Sequence, residues 1–353
     1  MSWPDFWKHK TWKTQLLRPL SKLVCWEAAR RFTRFKKSPP VQSSATVIVV
    51  GNIVVGGSGK TPFIIWLTRQ LQAKGLSVGI ISRGYGGQSK QWPQRVTAQS
   101  DPVLVGDEPV LLAKQLGCPI AVSPKRPEAI ALLNNQATLD VIISDDGLQH
   151  YAMARDIEVV LIDAQRQFGN GLCLPAGPLR ESLERLQSVD FCIWNGLDDR
   201  LNFPLTLPST VTQYRMQLLP VRLRQVMNPE QVIELNMNEA GQVPCFIGEQ
   251  VNAIAGIGNP SRFFNSLKTL GFQVDERAFA DHYVFQWSDF KAFDTQKRLL
   301  MTEKDAVKCI ELAKQHQQTN WWYLEVSPRC DEALLTNILN KKLLNKSEQL
   351  NGS

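Results

Sequence analysis

The sequence of this chain predicts an α/β protein in which a parallel β-sheet is covered by helices on both faces. From residue 46 to residue 162, apolar runs of strand length alternate with stretches of helical periodicity, as is typical of parallel sheets. A glycine-rich turn joins the first strand to the first helix, and a second alternating series begins at 251. The first series comprises predicted strands 46–50, 77–82, 119–122, 140–144 and 157–162 and helices 61–74, 107–116 and 126–135.

The length of 353 residues favours two domains, and the pattern of the chain divides it further. Ser38-Pro-Pro40 separates a basic segment from the first strand, and the helical pattern stops around 195–225, where two alternating stretches follow at 211–219 and 221–226. The second series has strands 251–255, 272–279, 298–302 and 321–326 and helices 260–270 and 304–315. The predicted segments are a basic amphipathic segment (1–40), a core domain (41–205), a smaller C-terminal α/β domain (206–340) and a frayed tail (341–353).

The turn after the first strand has the composition of a phosphate-binding loop. Residues 51–61 read Gly-Asn-Ile-Val-Val-Gly-Gly-Ser-Gly-Lys-Thr. Glycines let backbone N–H groups converge on anionic oxygens, the lysine neutralises phosphates, and the threonine hydroxyl suits Mg²⁺. A strict P-loop has glycine where this chain has Val54, so we predict a variant loop of P-loop NTPase type rather than a chance glycine-rich turn, binding ATP or GTP. Its predicted nucleotide-binding residues are Gly56, Gly57, Ser58, Gly59, Lys60 and Thr61.

Acidic residues occur at the ends of two predicted elements: one pair follows a strand and the other begins a helix. The apolar strand 140–144 runs into Asp145 and Asp146, and carboxylates at such a strand end hold magnesium in NTPases. The alternative is an Asp-Gly turn that only closes the strand. Asp107 and Glu108 begin a predicted helix, and taken alone this pattern favours a helix cap and a first-turn carboxylate. That interpretation is weakened only because the strand-end geometry would also place these acids at the phosphate edge.

Two further side chains are candidates on weaker patterns. Arg180 lies in a loop rich in glycine and proline, where it either stabilises charge during phosphoryl transfer or forms a surface ion pair. His282 follows a predicted strand of the second series, although single histidines are most often structural or exposed. Thr302-Glu-Lys-Asp305 differs in order from the guanine-reading Asn-Lys-x-Asp motif, so GTP specificity is not expected.

The net charge of +7 is concentrated at the N-terminus. Residues 1–40 contain ten Lys/Arg and two acidic residues, so the rest of the chain is almost neutral and a nucleic-acid-binding surface is not expected. Four of the ten tryptophans also lie there, and Trp12, Leu16, Leu20 and Leu23 recur at helical spacing among lysines and arginines. This pattern predicts an amphipathic helix on an anionic membrane surface, the alternative being an ordinary helix packed on the core. No apolar run is long enough to span a bilayer.

Seven cysteines are scattered along the chain without a C-x-x-C pair. This distribution predicts a reducing compartment and argues against a disulfide framework or a zinc site. No secretory signal is expected in the first thirty residues.

Several motifs occur together in an order that resembles the tetraacyldisaccharide 4'-kinases of lipid A biosynthesis. The resemblance runs from about residue 20 to 330. The matching motifs are Val50-Gly-Asn-Ile-Val-Val-Gly-Gly-Ser-Gly-Lys-Thr-Pro62, Ser82-Arg-Gly-Tyr-Gly86, Gly106-Asp-Glu-Pro109, Asp145-Asp-Gly-Leu-Gln-His150, Gly177-Pro-Leu-Arg-Glu181, Ala255-Gly-Ile-Gly-Asn-Pro260, Arg262-Phe-Phe264, Phe279-Ala-Asp-His282 and Met301-Thr-Glu-Lys-Asp-Ala-Val-Lys308.

The resemblance implies transfer of the ATP γ-phosphate to the 4'-hydroxyl of a tetraacylated glucosamine disaccharide 1-phosphate, at the cytoplasmic face of the bacterial inner membrane, by a peripheral or monotopic protein. No obligatory protein partner is implied. Carried onto this chain, Lys60 and Arg180 contact phosphate, and Asp107 is the general base paired with His282. The implied Mg²⁺ ligands are Thr61, Glu108, Asp145 and Asp146.

From the residues alone, three classes of function remain: a P-loop small-molecule kinase, a P-loop switch or assembly ATPase, and a peripheral membrane scaffold with a vestigial site. Assembly ATPases of the related loop type usually carry a lysine where this chain has Val55, which favours the kinase. A scaffold would have no reason to retain Lys60 and Thr61 together with the acidic strand end.

Overall fold

The computed structural model describes residues 3–40, 43–235 and 246–341. The chain forms two compact units. Of the described residues, the large unit contains those in the range Trp3–Leu218 and those from Pro328 to 341, and the small unit contains those in the range Leu219–Ser327. The domain boundaries given by the sequence, with a division at 205/206, stay a prediction.

The sheet of the large unit is parallel except at one edge. Its strands are β1 (Thr46–Gly51), β2 (Val78–Ser82), β3 (Gln94–Val96), β4 (Ile120–Val122), β5 (Val141–Asp145), β6 (Ile157–Asp163), β7 (Phe191–Asn195) and the first part of β8 (Thr212–Gln225). They are arranged in the order β8-β7-β6-β1-β5-β2-β4-β3, and β3 is antiparallel to β4. Strands β1, β5, β6 and β7 are buried along their whole length, as expected for parallel strands that are covered on both faces.

Helices connect these strands and also precede them. They are α1 (Asp5–Lys8), α2 (Trp12–Lys37), α3 (Lys60–Ala73), α4 (Pro102–Val105), α5 (Asp107–Gln115) and α6 (Arg126–Asn134), with a 3-10 helix at Leu183–Ser188 and helical residues at 333–341. In the described ranges, no helix is both long and apolar enough to cross a lipid bilayer.

The small unit repeats the α/β pattern. It contains the second part of β8, β9 (Val232–Glu234), β10 (Gln250–Ala255), β11 (Gln273–Ala278), β12 (Arg298–Thr302) and most of β13 (Trp321–Cys330), with α7 (Pro260–Thr269), α8 (Glu303–Gln315) and a 3-10 helix at Trp287–Phe290. Strands β11-β10-β12-β13 lie in that order and pair in parallel. Buried apolar side chains form two clusters, one including Phe264 and one including Met301.

Most predicted elements lie within one or two residues of the observed ones. The differences have local reasons. The stretches 211–219 and 221–226 form one strand, β8, that continues through Pro220. Strands β3 and β7 and helix α4 were not predicted; β3 and α4, of three and four residues, lie outside the regular alternation of strands and helices on which the predictions rest.

One feature was not expected from the sequence. The scattered cysteines argued against a disulfide framework, and no single pair was predicted, but Cys25 of α2 and Cys173 form a disulfide, with their Cα atoms 6.1 Å apart. The two residues are 148 positions apart in the chain, so only the fold brings them together. Among the described cysteines, Cys118, Cys192, Cys309 and Cys330 are free.

Candidate active site

The glycine-rich loop lies between the end of β1 at Gly51 and the start of α3 at Lys60. Gly56 has φ +110° and Gly59 has φ +92°, a region that side chains with a Cβ rarely adopt. Gly59 is the N-cap of the fourteen-residue helix α3, so the loop ends at the positive end of a helix. This geometry is that of an anion-binding loop.

Lys60, Asp146 and Arg180 form one charged cluster beside this loop. Arg180 Nη1 donates to both carboxylate oxygens of Asp146 at 2.9 Å, and Lys60 Nζ lies 3.6 Å from Asp146 Oδ1. Burial opposes ionisation of Asp146, but the two cations outweigh it and hold its pKa well below the ordinary value. The structure therefore brings together three of the predicted site residues and orients both cations on one carboxylate.

Asp145, at the end of β5, differs sharply from its neighbour. Ser82 Oγ donates to Asp145 Oδ2 at 3.1 Å, while the buried Oδ1 has no hydrogen-bond partner within the described part of the chain. Burial, with repulsion from Glu108 and Asp146, raises the pKa of Asp145 to about 7. A buried carboxylate oxygen without a donor is a suitable ligand for a hard cation.

Asp107 and Glu108 open helix α5 at this same edge. Gly106, with φ +96°, occupies the N-cap position, so Asp107 is the first helical residue rather than the cap. Asp107 is 6% exposed, and its Oδ1 accepts the N–H of Glu108 at 3.0 Å. Glu108 lies close enough to Asp145 to raise the pKa of Asp145, so Glu108 is near the acidic end of β5.

His282 lies in the small unit, after β11, with φ +59°. Lys304 Nζ is 3.3 Å from His282 Nε2 and 3.2 Å from Asp281 Oδ1. Burial opposes ionisation of Asp281, but Lys304 and His282 hold its pKa below the ordinary value. The histidine is therefore part of a charged cluster at the carboxyl ends of β11 and β12.

Sequence reasoning missed several residues that shape the site. Arg126 is 2% exposed and donates from Nη2 to the Asp145 carbonyl oxygen at 2.9 Å. Burial lowers the pKa of Arg126 to about 10, against the attraction of the nearby aspartates. The buried asparagines Asn52 and Asn195 and the indole of Trp3 hydrogen-bond to the glycine-rich loop. Asn195 has a recognisable signal, since it ends an apolar run before Gly196, and Asn52 lies within the glycine-rich stretch 51–61.

A glycine loop on a helix N-terminus, two cations and a buried carboxylate with a free oxygen define a nucleotide-phosphate-binding protein of P-loop type. The comparisons with known proteins identify the family. The LpxK family, "Tetraacyldisaccharide-1-P 4'-kinase", matches residues 13–344. The chain belongs to this family, and it is thus an ATP-dependent 4'-kinase of lipid A biosynthesis.

Individual relatives agree with this assignment. The chain is 56% identical to the tetraacyldisaccharide 4'-kinase of Hydrogenovibrio crunogenus over 345 residues, which cover 97% of this chain and 98% of the relative. It is 45% identical to the enzyme of the same name from Actinobacillus pleuropneumoniae serotype 5b, with 96% and 99% covered.

A solved structure shares the fold. The crystal structure of the "apo" form of LpxK from Aquifex aeolicus in complex with ATP matches with a TM-score of 0.73 and 27% identity, and the match covers 93% of this chain and 99% of that one. This likeness confirms the predicted fold class.

Proposed function

We propose that this chain transfers the γ-phosphoryl group of ATP to the 4'-hydroxyl of a tetraacylated glucosamine disaccharide 1-phosphate at the carboxyl edge of the large unit's sheet. The observation that carries the proposal is the charged cluster at the glycine-rich loop. In this cluster, Lys60 Nζ lies 3.6 Å from Asp146 Oδ1, and Arg180 Nη1 donates to Asp146 Oδ2 at 2.9 Å. Two cations fixed beside an anion-binding loop suit a triphosphate, whose charge must be stabilised as the phosphoryl group moves. The relative from Aquifex aeolicus, crystallised in complex with ATP, supports the choice of nucleotide.

The residues at this edge also fit Mg²⁺. The predicted ligands are Thr61, Glu108, Asp145 and Asp146, all of which offer oxygen atoms. Asp145 is the strongest candidate because its buried Oδ1 lacks a hydrogen bond within the described residues, whereas both oxygens of Asp146 already accept from Arg180. Magnesium is commonly held by one or two carboxylates and the substrate phosphates, and it neutralises phosphate charge during transfer.

We assign the chemical steps to side chains as follows. Lys60 and Arg180 bind phosphate oxygens and stabilise their charge. Asp107 accepts the proton of the acceptor hydroxyl, and the family resemblance assigns His282 to the same step. The position of Asp107 supports this role, because it opens α5 directly before Glu108, which is close enough to Asp145 to act on its charge.

Helix α2 supports a peripheral position on the cytoplasmic face of the inner membrane. Its apolar side chains form an exposed stripe on one face of the helix. The exposed fractions are 71% for Trp12, 70% for Leu16, 54% for Leu20, 58% for Leu23 and 61% for Trp26. The opposite face is anchored on the body of the large unit, where Phe32 and Phe35 pack on Tyr151 with ring centroids 5.5 Å apart. An apolar stripe flanked by cations binds anionic lipid surfaces.

The function is tested by measuring ATP consumption with and without the detergent-solubilised lipid disaccharide. We expect turnover that requires the acceptor and a product phosphorylated at the 4'-hydroxyl. Vigorous hydrolysis of ATP without acceptor would favour a switch or assembly ATPase, and an absence of Mg·ATP binding by folded protein would favour a scaffold. Either result overturns the proposal.

The membrane position is tested by cosedimentation with vesicles that contain anionic phospholipid. Leu23→Ser should weaken binding by roughly 1 kcal/mol or more, because it removes an apolar side chain from the lipid contact. Leu201→Ser is the matched control, since Leu201 is also 58% exposed but lies outside α2. Equal vesicle binding by both variants would refute the role of the stripe.

A further inference from the structure

An anion-binding loop works only if its backbone N–H groups point to the anion. In a trans peptide the C=O of one residue and the N–H of the next point in opposite directions. The peptides of the glycine-rich loop are trans. Any group that fixes a carbonyl of this loop on the protein side therefore directs the following N–H to the other side.

Three side-chain donors from different parts of the chain hold three carbonyls of the loop. The bonds are Trp3 Nε1 to Val55 O at 2.9 Å, Asn52 Nδ2 to Gly56 O at 3.1 Å and Asn195 Nδ2 to Ser58 O at 3.0 Å. The N–H groups in the same peptides belong to Gly56, Gly57 and Gly59. These are the glycines of the predicted phosphate cradle.

All three donors are shielded from water. Trp3 is 8% exposed, and Asn52 and Asn195 are each 1% exposed. Shielded hydrogen bonds are stronger and hold their geometry better than exposed ones. The loop is also fixed at its start, because the N–H of Val55 donates to Pro178 O at 2.9 Å.

We propose that Trp3, Asn52 and Asn195 are positioning residues that hold the glycine-rich loop in its phosphate-binding conformation and so set the affinity for ATP. The inference rests on the proposed function, since it concerns the same nucleotide site. The residues act through the loop and not by contact with the nucleotide.

Trp3 is the unexpected member of this set, because it precedes the membrane-surface helix. It nevertheless occupies a built pocket in the large unit. The guanidinium of Arg166 lies over its ring at 5.3 Å, and a Cβ at Gly169 would lie only 3.2 Å from the ring. The segment before α2 therefore contributes to the nucleotide site as well as leading into the lipid-binding helix.

Asn195 shows how closely the loop is fitted to its support. A Cβ at Gly59 would lie 2.3 Å from Asn195 Nδ2, so only glycine allows the amide to approach the loop at this point. Asn195 is the last residue of β7, a fully buried strand, so the backbone that carries its amide is rigidly held.

The decisive variant is Trp3→Phe, which keeps an aromatic ring and removes the N–H donor. We expect Kd and KM for Mg·ATP to rise about threefold to tenfold, the effect of one lost neutral hydrogen bond. The value of kcat at saturating ATP and the KM for the lipid acceptor should hardly change, because the loop contacts the phosphates equally in ground and transition states. A merely structural role would lower Tm without this split.

Trp322→Phe is the matched control. Trp322 is 7% exposed, close to the 8% of Trp3, but it lies in the core of the small unit. Asn195→Ala removes a second donor to the loop and should also raise Kd for Mg·ATP. It replaces Trp3→Phe as the test of the positioning role if Trp3→Phe does not fold. Isothermal titration calorimetry with Mg·ATP gives the affinities.

The two failures are distinguishable. If the wild-type protein binds Mg·ATP and both Trp3→Phe and Asn195→Ala bind it equally well, the positioning role is refuted while the proposed function stands. If the folded wild-type protein does not bind Mg·ATP, the proposed function itself fails. A selective rise in Kd for Trp3→Phe, absent from Trp322→Phe, supports the inference.

Discussion

Both units contain a parallel strand that runs through a glycine-containing loop into a helix, and the two loops are supported in opposite ways. In the large unit, donors such as Asn195 Nδ2 bind loop carbonyls, so the N–H groups of those peptides point away from the support. In the small unit, β10 leads into Gly256, whose N–H donates to Asp305 Oδ2 at 2.9 Å. The first support directs N–H groups to a ligand, whereas the second uses an N–H group internally.

The two units also differ in a buried carboxylate near each loop: the one in the small unit has a close cation, and the one in the large unit has an oxygen open to a ligand. Asp305, which is 0% exposed, accepts from Gly256 and Thr302 through Oδ2; its Oδ1 also lacks a hydrogen bond in the described ranges but lies 2.7 Å from Lys308 Nζ, which compensates its charge. Asp145, which is 2% exposed, accepts from Ser82 and has Oδ1 without a hydrogen bond in the described ranges. A similar strand–loop–helix sequence therefore serves either stability or binding, and the supporting side chains decide which.

The strongest test of this comparison is Asp107→Ala, because the general base is assigned to the edge of the large unit. Phosphoryl transfer should fall by about 10²–10⁴, the contribution of a general base, while Mg·ATP binding is retained. Single-turnover kinetics with the lipid acceptor measure the loss, and calorimetry measures the binding.

Asp101→Ala is the control for this variant, since Asp101 is an exposed acid that caps the neighbouring helix α4. It should leave the transfer rate nearly unchanged. Undiminished turnover by Asp107→Ala would leave that residue with only a structural role at the start of α5.

How much of this could be predicted from the sequence depends on whether a feature is local. The loop, the acidic end of β5 and most elements have local patterns, and Lys60, Asp145 and Asp146 were named from them. The bond from Trp3 to Val55 spans 52 positions and the bond from Asn195 to Ser58 spans 137, so no periodicity reveals either. From the sequence, residues 1–40 were therefore predicted as a segment separate from the nucleotide site. In the structure, the Trp3 indole donates a hydrogen bond to the glycine-rich loop.

The sequence left two roles open for some single residues, and the neighbours that each residue has in the folded chain decide between them. Spacing does not distinguish an Arg180 on the surface from one paired with Asp146, because the partner follows from the fold. The two adjacent aspartates likewise look equivalent in sequence. Their pKa values move in opposite directions because the fold gives Asp146 two cations and leaves Asp145 buried beside acids.

A second test separates the two buried carboxylates by stability. Lys308→Met removes the cation paired with Asp305 and leaves the buried carboxylate with only its hydrogen bonds from Gly256 and Thr302, so the free energy of unfolding should fall by about 3–5 kcal/mol. Urea unfolding measures the change. The folded fraction should bind Mg·ATP with unchanged affinity, because the small-unit loop is not the nucleotide site.

The matched control lies in the same helix. Lys314 forms an i,i+3 pair with Glu311 at 3.0 Å, but both side chains are more than half exposed. Lys314→Met should therefore change the free energy of unfolding by about 0.5 kcal/mol or less. Equal losses in the two variants would remove the distinction between the structural and the exposed pair.

The third test exploits the raised pKa of Asp145. A carboxyl whose pKa rises from 3.8 to about 7 on folding binds its proton more tightly in the native state, so stability falls as the pH rises through this window. At pH 8, Asp145→Asn removes the buried charge, and we expect the metal-free variant to be more stable than wild type by on the order of 2–4 kcal/mol. Near pH 4 the difference should vanish, because wild-type Asp145 is then protonated.

The same variant should lose phosphoryl transfer at every pH, since the amide is a poorer ligand for Mg²⁺ than a carboxylate. Denaturant unfolding at pH 4, 6 and 8, in the presence of a chelator, measures the free energy of unfolding separately from activity. Ser144→Ala, one residue earlier in β5, controls for substitution in the buried strand. A pH-independent difference in stability between Asp145→Asn and wild type would mean that Asp145 is already ionised or otherwise satisfied in the metal-free protein, and it would then resemble Asp305 instead of contrasting with it.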